Sequence, residues 1–343
     1  MAYDLQDKLV VAVSARALFD LSVENRIYEA EGAEAYCAYQ IQHEGEILEP
    51  GAGFSFIQKL LRFSRRVREA GRQSPVEVIL MSRSSADASL RFFRSIAYYE
   101  MDITRAVFTD GASVASYLKS FQVDLLLSAH AEDVQSAVES GIASGIVCEA
   151  GSSRRQTEDE TIRIALDGDA VLFTDESERI FQERGLAVFE EHERINAAKP
   201  LKPGPFAGFL KKAAELLAGD MQAGIPSGIR TALVTSRCAP AHERVIRTLR
   251  EWGIRMDEVF FLGGLSKKEV LRAFDADIFF DDQQLHIAPA SEVVPSALVP
   301  CQKNGKKLEK TQKAGKSHEI RKYSARKLSG KAEPVYSLCG NEW

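Results

Sequence analysis

Hydrophobic positions in this chain fall into short unbroken runs separated by longer mixed segments. In the second half, Ile162–Leu166, 230–235, 258–262 and 278–280 are apolar runs bounded by polar residues or glycine. Runs of that length and make-up suit strands buried on both faces of a parallel sheet. Between them, residues 241–252 put Val245, Ile246 and Leu249 on one helical face, and residues 267–274 do the same with Val270, Leu271 and Phe274. Gly253 supplies the stop for the first of these helices. Strands alternating with helices predict a doubly wound α/β sheet, in which ligands gather at the carboxyl ends of the strands.

The first half carries the same pattern. With Ser14 set against Asp167, a shift of 153 positions, Asn25-Arg26-Ile27-Tyr28 falls on Glu178-Arg179-Ile180-Phe181, Arg91 on Arg244, Phe108 on Phe261, Gly111 on Gly264 and Asp124 on Asp277. Agreement held over so long a span points to internal duplication. The expected architecture is two tandem doubly wound parallel-sheet halves, 1–150 and 151–300. Glu149-Ala150-Gly151-Ser152-Ser153 has the make-up of a linker between them. The long interval between Asp169 and Thr235 leaves room for a small cap insertion at about 178–226 in the second half. Residues 301–343 are rich in Lys, Gly, Ser and Gln and poor in large apolar side chains, so this tail is expected to be disordered.

Composition narrows the function classes. A chain of 343 residues that is 45% hydrophobic has apolar surface enough for substantial cores. Its net charge of -5 conceals a Lys-rich segment from about Gln302 to Lys331 behind an acidic body, so the body lacks a nucleic-acid footprint. The five cysteines are far apart and form neither a paired-thiol nor a zinc pattern, which fits a reducing compartment. Leu9–Val13 is too short for a signal segment, and no later run reaches the roughly 18 apolar residues that span a bilayer. The expected location is cytoplasmic, with no membrane partner.

Four polar groups each follow a second-half strand. Asp167-Gly168-Asp169 sets two carboxylates one residue apart, although such a pair in isolation often only caps a helix. Thr235-Ser236-Arg237 ends its strand in a hydroxyl and a guanidinium, for which a helix N-cap is the bland alternative. Gly263-Gly264-Leu265-Ser266-Lys267-Lys268 delivers an ammonium, where a solvated helix start would also suit a lysine pair. Asp281-Asp282 places two mutually repelling acids behind a strongly apolar strand. A cap explains one of them and a divalent cation explains both.

Taken in order, the acid pair, hydroxyl, lysine and second acid pair resemble the haloacid dehalogenase superfamily of phosphatases. Within it, Asp167-Gly168-Asp169-Ala170-Val171-Leu172-Phe173, Ala239-Pro240-Ala241-His242-Glu243-Arg244 and Phe261-Leu262-Gly263-Gly264 are similar to the cytosolic 5′-nucleotidase type I family. The resemblance runs from about Leu9 to Val299 and implies Mg²⁺-dependent hydrolysis of nucleoside 5′-monophosphates. Asp167 would be the nucleophile that forms an aspartyl-phosphate, and Asp169 the acid for the leaving 5′-oxygen and then the base for water. Thr235 would donate to a phosphoryl oxygen, while Lys267, in preference to Lys268, would balance charge. Mg²⁺ would be held by Asp167, the backbone carbonyl of Asp169 and a carboxylate of Asp281 or Asp282. Ser236 and Arg237 are placed to read the nucleotide, although Ser236 stands where the family commonly has alanine.

At the matching positions the first half has Ser14, Arg16, Ser82, Val114 and Ser128-Ala129, so by the same resemblance it is catalytically degenerate. It serves either as a packing partner that shapes the cleft, or as a cationic pocket in which Arg16, Ser82, Arg83 and Arg105 hold a substrate phosphate or a nucleotide effector. Competing functions are a phosphatase for sugar phosphates or another small phosphoester, a non-catalytic nucleotide-binding regulator, and a nucleic-acid partner recruited through the tail. A homo-oligomer is left open.

Overall fold

The computed structural model describes residues 4–148, 160–222 and 228–302. The expected linker and the tail beyond Gln302 lie outside the described residues. Ten strands are present among the described residues: β1 (Leu9–Val13), β2 (Val76–Ser82), β3 (Arg105–Phe108), β4 (Leu125–Ser128), β5 (Ala143–Val147), β6 (Ile162–Leu166), β7 (Ile229–Thr235), β8 (Glu258–Phe261), β9 (Ile278–Asp281) and β10 (Ser296–Leu298). The four apolar runs of the second half are β6 to β9, each within a residue of its expected bounds. The fold is α/β with a mostly parallel sheet.

All ten strands lie in one sheet, in the order β3-β2-β1-β4-β5-β10-β9-β6-β7-β8. A separate sheet in each half was the expectation; instead the two five-strand sets meet edge to edge. Their junction is the one antiparallel pairing among the described strands, with Val147 of β5 opposite Ala297 of β10 and Ile146 opposite Leu298. Pairing two edges satisfies backbone groups that each would otherwise leave open. Gly145 permits the close approach, because a Cβ there would lie 2.7 Å from the Ala297 Cβ and 3.1 Å from the Phe280 ring.

The helices follow the repeat. Ser22–Glu31 and Ala33–Gln42 fold back on each other at Gly32, and Glu176–Arg184 and Leu186–Ile195 do so at Gly185. Each hairpin is followed by a longer helix, Phe54–Glu69 or Ala207–Gln222. The segment expected as a cap insertion of the second half therefore has a counterpart in the first and is not peculiar to the second.

The long helices exchange sides. Phe54–Glu69 packs on β6 as well as on β2, and Ala207–Gln222 packs on β1. Lys59 of the first helix pairs with Asp277 at 2.7 Å, and Lys212 of the second pairs with Asp124, also at 2.7 Å. These are the same two positions at the 153-residue shift. Finer bonds repeat too: Val10 N–H donates to Asp124 as Arg163 N–H does to Asp277, and Leu48 N–H donates to Ser95 Oγ as Leu201 N–H does to Thr248 Oγ1. One buried cluster runs through both sets of elements, from Leu9 and Phe63 to Phe280 and Val299. No helix among the described residues is long and apolar enough to cross a membrane.

Candidate active site

Adjacent parallel strands bring the second-half polar groups to one edge of the sheet. Asp167 follows β6 in extended conformation, its N–H donating to the Phe280 carbonyl of β9 at 2.8 Å. The chain then turns sharply through Gly168–Leu172, with Ala170 at φ 60°. A left-handed alanine costs conformational energy and persists only where its surroundings fix it. A Cβ on Gly168 would lie 3.2 Å from Thr235 Oγ1, so glycine is what lets the hydroxyl at the end of β7 sit against the turn.

Ser266 caps the helix Lys267–Phe274 by accepting from the Lys268 N–H, and this start aims Lys267 inward. Its Nζ donates to Asp167 Oδ1 at 2.5 Å and to Asp281 Oδ2 at 2.7 Å. Lys268 turns outward to Glu292 instead. Asp281 also accepts from the Gln283 N–H at 2.8 Å and lies 3.1 Å from His286 Nδ1. Asp282 Oδ1 is buried with no hydrogen-bond partner among the described residues. One carboxylate oxygen each from Asp167, Asp281 and Asp282 lie within 4.8 Å of one another. An all-oxygen donor set with one buried oxygen unanswered fits a hard divalent cation.

The electrostatics agree with that fit. Burial pushes the Asp167 carboxyl up to about 7, Asp281 and Asp169 adding to the rise against the opposing pull of Lys267. Burial, then the charges of Asp167 and Asp281, take Asp282 up to about 8. At Asp281 burial is outweighed by Lys267 and His286, which hold it below its ordinary range. For Lys267 burial opposes the charge, but Asp167 and Asp281 outweigh it and raise its pKa.

The first two carboxyls thus titrate above the ordinary value of 3.8. Their contribution to stability is complete below that value and is lost as pH rises through about 7 and about 8. In a chelator, the thermal unfolding midpoint is expected to fall by several degrees between about pH 5.5 and about pH 8.5. Millimolar Mg²⁺ should recover most of that fall at the alkaline end and little at the acid end, because it binds the ionised form. A midpoint indifferent to Mg²⁺ at both ends counts against a cation here.

Asp169 stands apart from the three-acid cluster. Arg237 grips it with a fork, Nε to Oδ2 at 2.8 Å and Nη2 to Oδ1 at 2.7 Å. The third guanidinium nitrogen donates to Glu193 Oε2 at 2.6 Å. Glu193 also accepts from Arg244 and from Ser177 Oγ, both at 2.9 Å. Burial would raise the Glu193 pKa, but Arg237 and Arg244 outweigh it and hold the carboxyl below its ordinary range. The guanidinium expected to face the nucleotide is therefore directed at protein carboxylates. Ser236 is half-buried and makes no side-chain hydrogen bond among the described residues.

In the first-half set, Arg16 follows β1 and Ser82 ends β2. Arg83 is forked onto Asp133 at 2.8 and 2.9 Å and also reaches Glu132. Arg16 is half-buried and has no ion-pair partner among the described residues. The His130 ring lies near both arginines: burial, then Arg83, lower its pKa, and Arg16 adds to this. Arg105 is not brought to this place. It begins β3 and pairs with Glu77, while the register sets Phe108 beside Ser82.

Glu193, Arg244 and His286 escaped the sequence reading. Glu193 looks like one more charge on a polar helix, His286 carries no local signal, and Arg244 is marked by its match to Arg91 and its place in the segment 239–244 but with no role attached.

A family model described as 5′-nucleotidase matches residues 1–306. The chain belongs to the 5′-nucleotidase family. A curated relative, human "Cytosolic 5'-nucleotidase 1B", is 37% identical over 295 residues, which is 84% of this chain and 48% of the relative. The chain thus spans about half the length of that protein. A solved structure of a short chain dehydrogenase from Mycobacterium smegmatis aligns over 76% of this chain and 93% of its own at 10% identity, with a TM-score of 0.17 that carries no argument.

Proposed function

We propose that this chain is a Mg²⁺-dependent phosphatase that hydrolyses nucleoside 5′-monophosphates through an aspartyl-phosphate on Asp167. Family membership supports the substrate class. The observation that carries the chemistry is Lys267 seated between Asp167 and Asp281, with the unanswered oxygen of Asp282 beside them.

In a phosphate monoester the phosphorus is shielded by anionic oxygens, so charge neutralisation and positioning matter more than nucleophile strength. An Asp167 oxygen attacks phosphorus and the bond to the 5′-oxygen breaks, with Asp169 giving that oxygen a proton. Asp169 then takes a proton from the water that attacks the acyl phosphate, releasing phosphate and restoring Asp167. The Thr235 hydroxyl donates to a phosphoryl oxygen, and Lys267 pulls Asp167 toward its ionised form against its burial. Asp167, the Asp169 carbonyl and the Asp281-Asp282 pair would hold Mg²⁺, whose charge would let an anionic ester approach a carboxylate.

The repetition of ion pairs and hydrogen bonds at a shift of 153 supports a tandem duplication, 1–150 and 151–300, whose first copy has lost the reacting groups. The hairpin 176–195 serves as the cap over the second. In the first copy, Arg16, Ser82 and Arg83 are the groups for an anion pocket, Arg16 being the one of its two arginines without an ion-pair partner among the described residues. An Arg16→Ala variant should weaken nucleotide binding there, and unchanged affinity would leave the pocket unsupported. The name of the human relative favours a cytoplasmic location.

Phosphate release from AMP, dCMP and a sugar phosphate, with Mg²⁺ and with chelator, tests the whole reading. Nucleotide hydrolysis that needs the metal is expected, with the sugar phosphate a poor substrate. No release from any nucleoside monophosphate would overturn it.

A further inference from the structure

We propose that Glu193 and Arg237 are a positioning pair that aims the Asp169 carboxylate at the leaving 5′-oxygen, an inference that rests on the phosphatase reading above. The fork of Arg237 fixes both oxygens of Asp169, so the carboxylate cannot rotate without breaking two charge-assisted bonds. Each oxygen keeps a further lone pair for a proton or a water. Arg237 is itself immobilised, 1% exposed, with Glu193 on its remaining nitrogen and the Phe189 ring 5.5 Å from its centre. Glu193 is completely buried. A long flexible side chain gains directional value only when its far end is held, and Glu193 does the holding.

The molecule contains its own control. At the 153-residue shift, Asp169, Arg237 and Glu193 correspond to Arg16, Ser84 and Gln40. The half without the acid lacks both members of the pair as well. In their place is a neutral chain, Gln40 Nε2 donating to Tyr36 Oη at 3.1 Å and Tyr36 Oη lying 3.0 Å from Ser84 Oγ.

The neighbouring structural arginine is kept in both halves. Arg91 Nε donates to the Glu46 carbonyl as Arg244 Nε does to the Lys199 carbonyl. The acid opposite Arg91 is Glu24, at 2.6 Å, which occupies the position of Ser177. In each half one buried acid faces this arginine and comes from one or the other helix of the hairpin, while the exposed Glu46 carboxylate lies 3.7 Å from Arg91. An acid at 193 joined to an arginine at 237 occurs only where Asp169 is present. Buried ion pairs are weak contributors to net stability, so a pair that accompanies the chemistry and not the packing is read as functional.

The test uses two variants. Arg237→Lys removes the fork. Ser177→Glu with Glu193→Gln transplants the first-half arrangement, keeping an acid for Arg244 while removing the brace from Arg237. Two substrates are compared in single-turnover measurements of leaving-group release: a nucleoside 5′-monophosphate, whose oxygen leaves with a proton, and its 5′-S-phosphorothiolate, whose thiolate leaves without one. Release from the oxygen ester should fall by about 100-fold and release from the sulfur ester by less than about threefold.

Equal falls on both esters in a variant with wild-type thermal unfolding would reduce the pair to scaffold, and no fall on either would make it idle. Should Arg237→Lys not fold, the double variant, which preserves charge balance, decides the matter. Asp167→Asn is expected to stop both esters. Turnover by that variant would sink the phosphatase reading itself, independently of the clamp.

Discussion

Asp167→Asn is expected to lower steady-state turnover by on the order of 10⁴-fold or more while leaving the protein folded. The amide is nearly isosteric with the carboxylate and cannot form the acyl phosphate. It also removes one of three crowded acids, of which Asp167 is held at about 7 by burial first and by its acidic neighbours after it. The unfolding midpoint in chelator should therefore stay level or rise, and the gain on adding Mg²⁺ should shrink. Loss of function with retained or greater stability is the signature of a site that holds repelling charges for chemistry and not for the fold. Wild-type turnover by the purified variant, with contaminating wild-type enzyme excluded, would remove the basis of the assignment.

Lys59→Ala is expected to destabilise the fold by about 3 kcal/mol, and Lys212→Ala by about 1 kcal/mol. The two lysines make equivalent bonds, but the Lys59–Asp277 pair is about 10% exposed on each side, whereas Lys212 and Asp124 are 25% and 19% exposed. Removing Lys59 strands a buried carboxylate and also breaks the bond that Lys59 donates to the Thr161 carbonyl at 3.1 Å. Burial already raises the Asp277 pKa, against the pull of Lys59. Without the lysine it rises further, so the loss should be smaller in acid and grow as pH climbs through the raised value. Adding Asp277→Asn to Lys59→Ala should recover part of it. Denaturant midpoints at unchanged slope measure all three, and equal losses for the two lysines would show that burial does not set the difference.

Sequence and structure agree best where burial is two-sided. A strand covered on both faces is apolar over most of its length, so β6, β7 and β9 appear as runs, whereas β8 at the sheet edge is only partly covered; a polar residue behind such a run is at the strand's carboxyl end. That is how Asp167, Thr235, Asp281 and Asp282 were legible without any coordinates. Lys267 was legible through the family resemblance, in which the lysine follows the glycine pair at this interval, and in the structure the inward start of its helix separates it from Lys268. Arg237 was found as a residue of the site, but its partners were not. Whether a buried guanidinium faces a ligand or a protein acid depends on Glu193, which arrives from a hairpin more than forty positions away.

By itself the sequence determined the α/β alternation, the repeat at 153 positions and the order of acid, hydroxyl, lysine and acid, because each is written in local composition or in spacing along the chain. The tertiary structure alone decided that both strand sets share one sheet, that the long helices cross to the opposite set, and that Asp169 is held through Arg237 by Glu193. Those outcomes depend on which faces and edges meet in space. Edge pairing uses backbone groups that every residue carries, and a buried charge is chosen by a distant partner, so neither leaves a mark on the residues nearby.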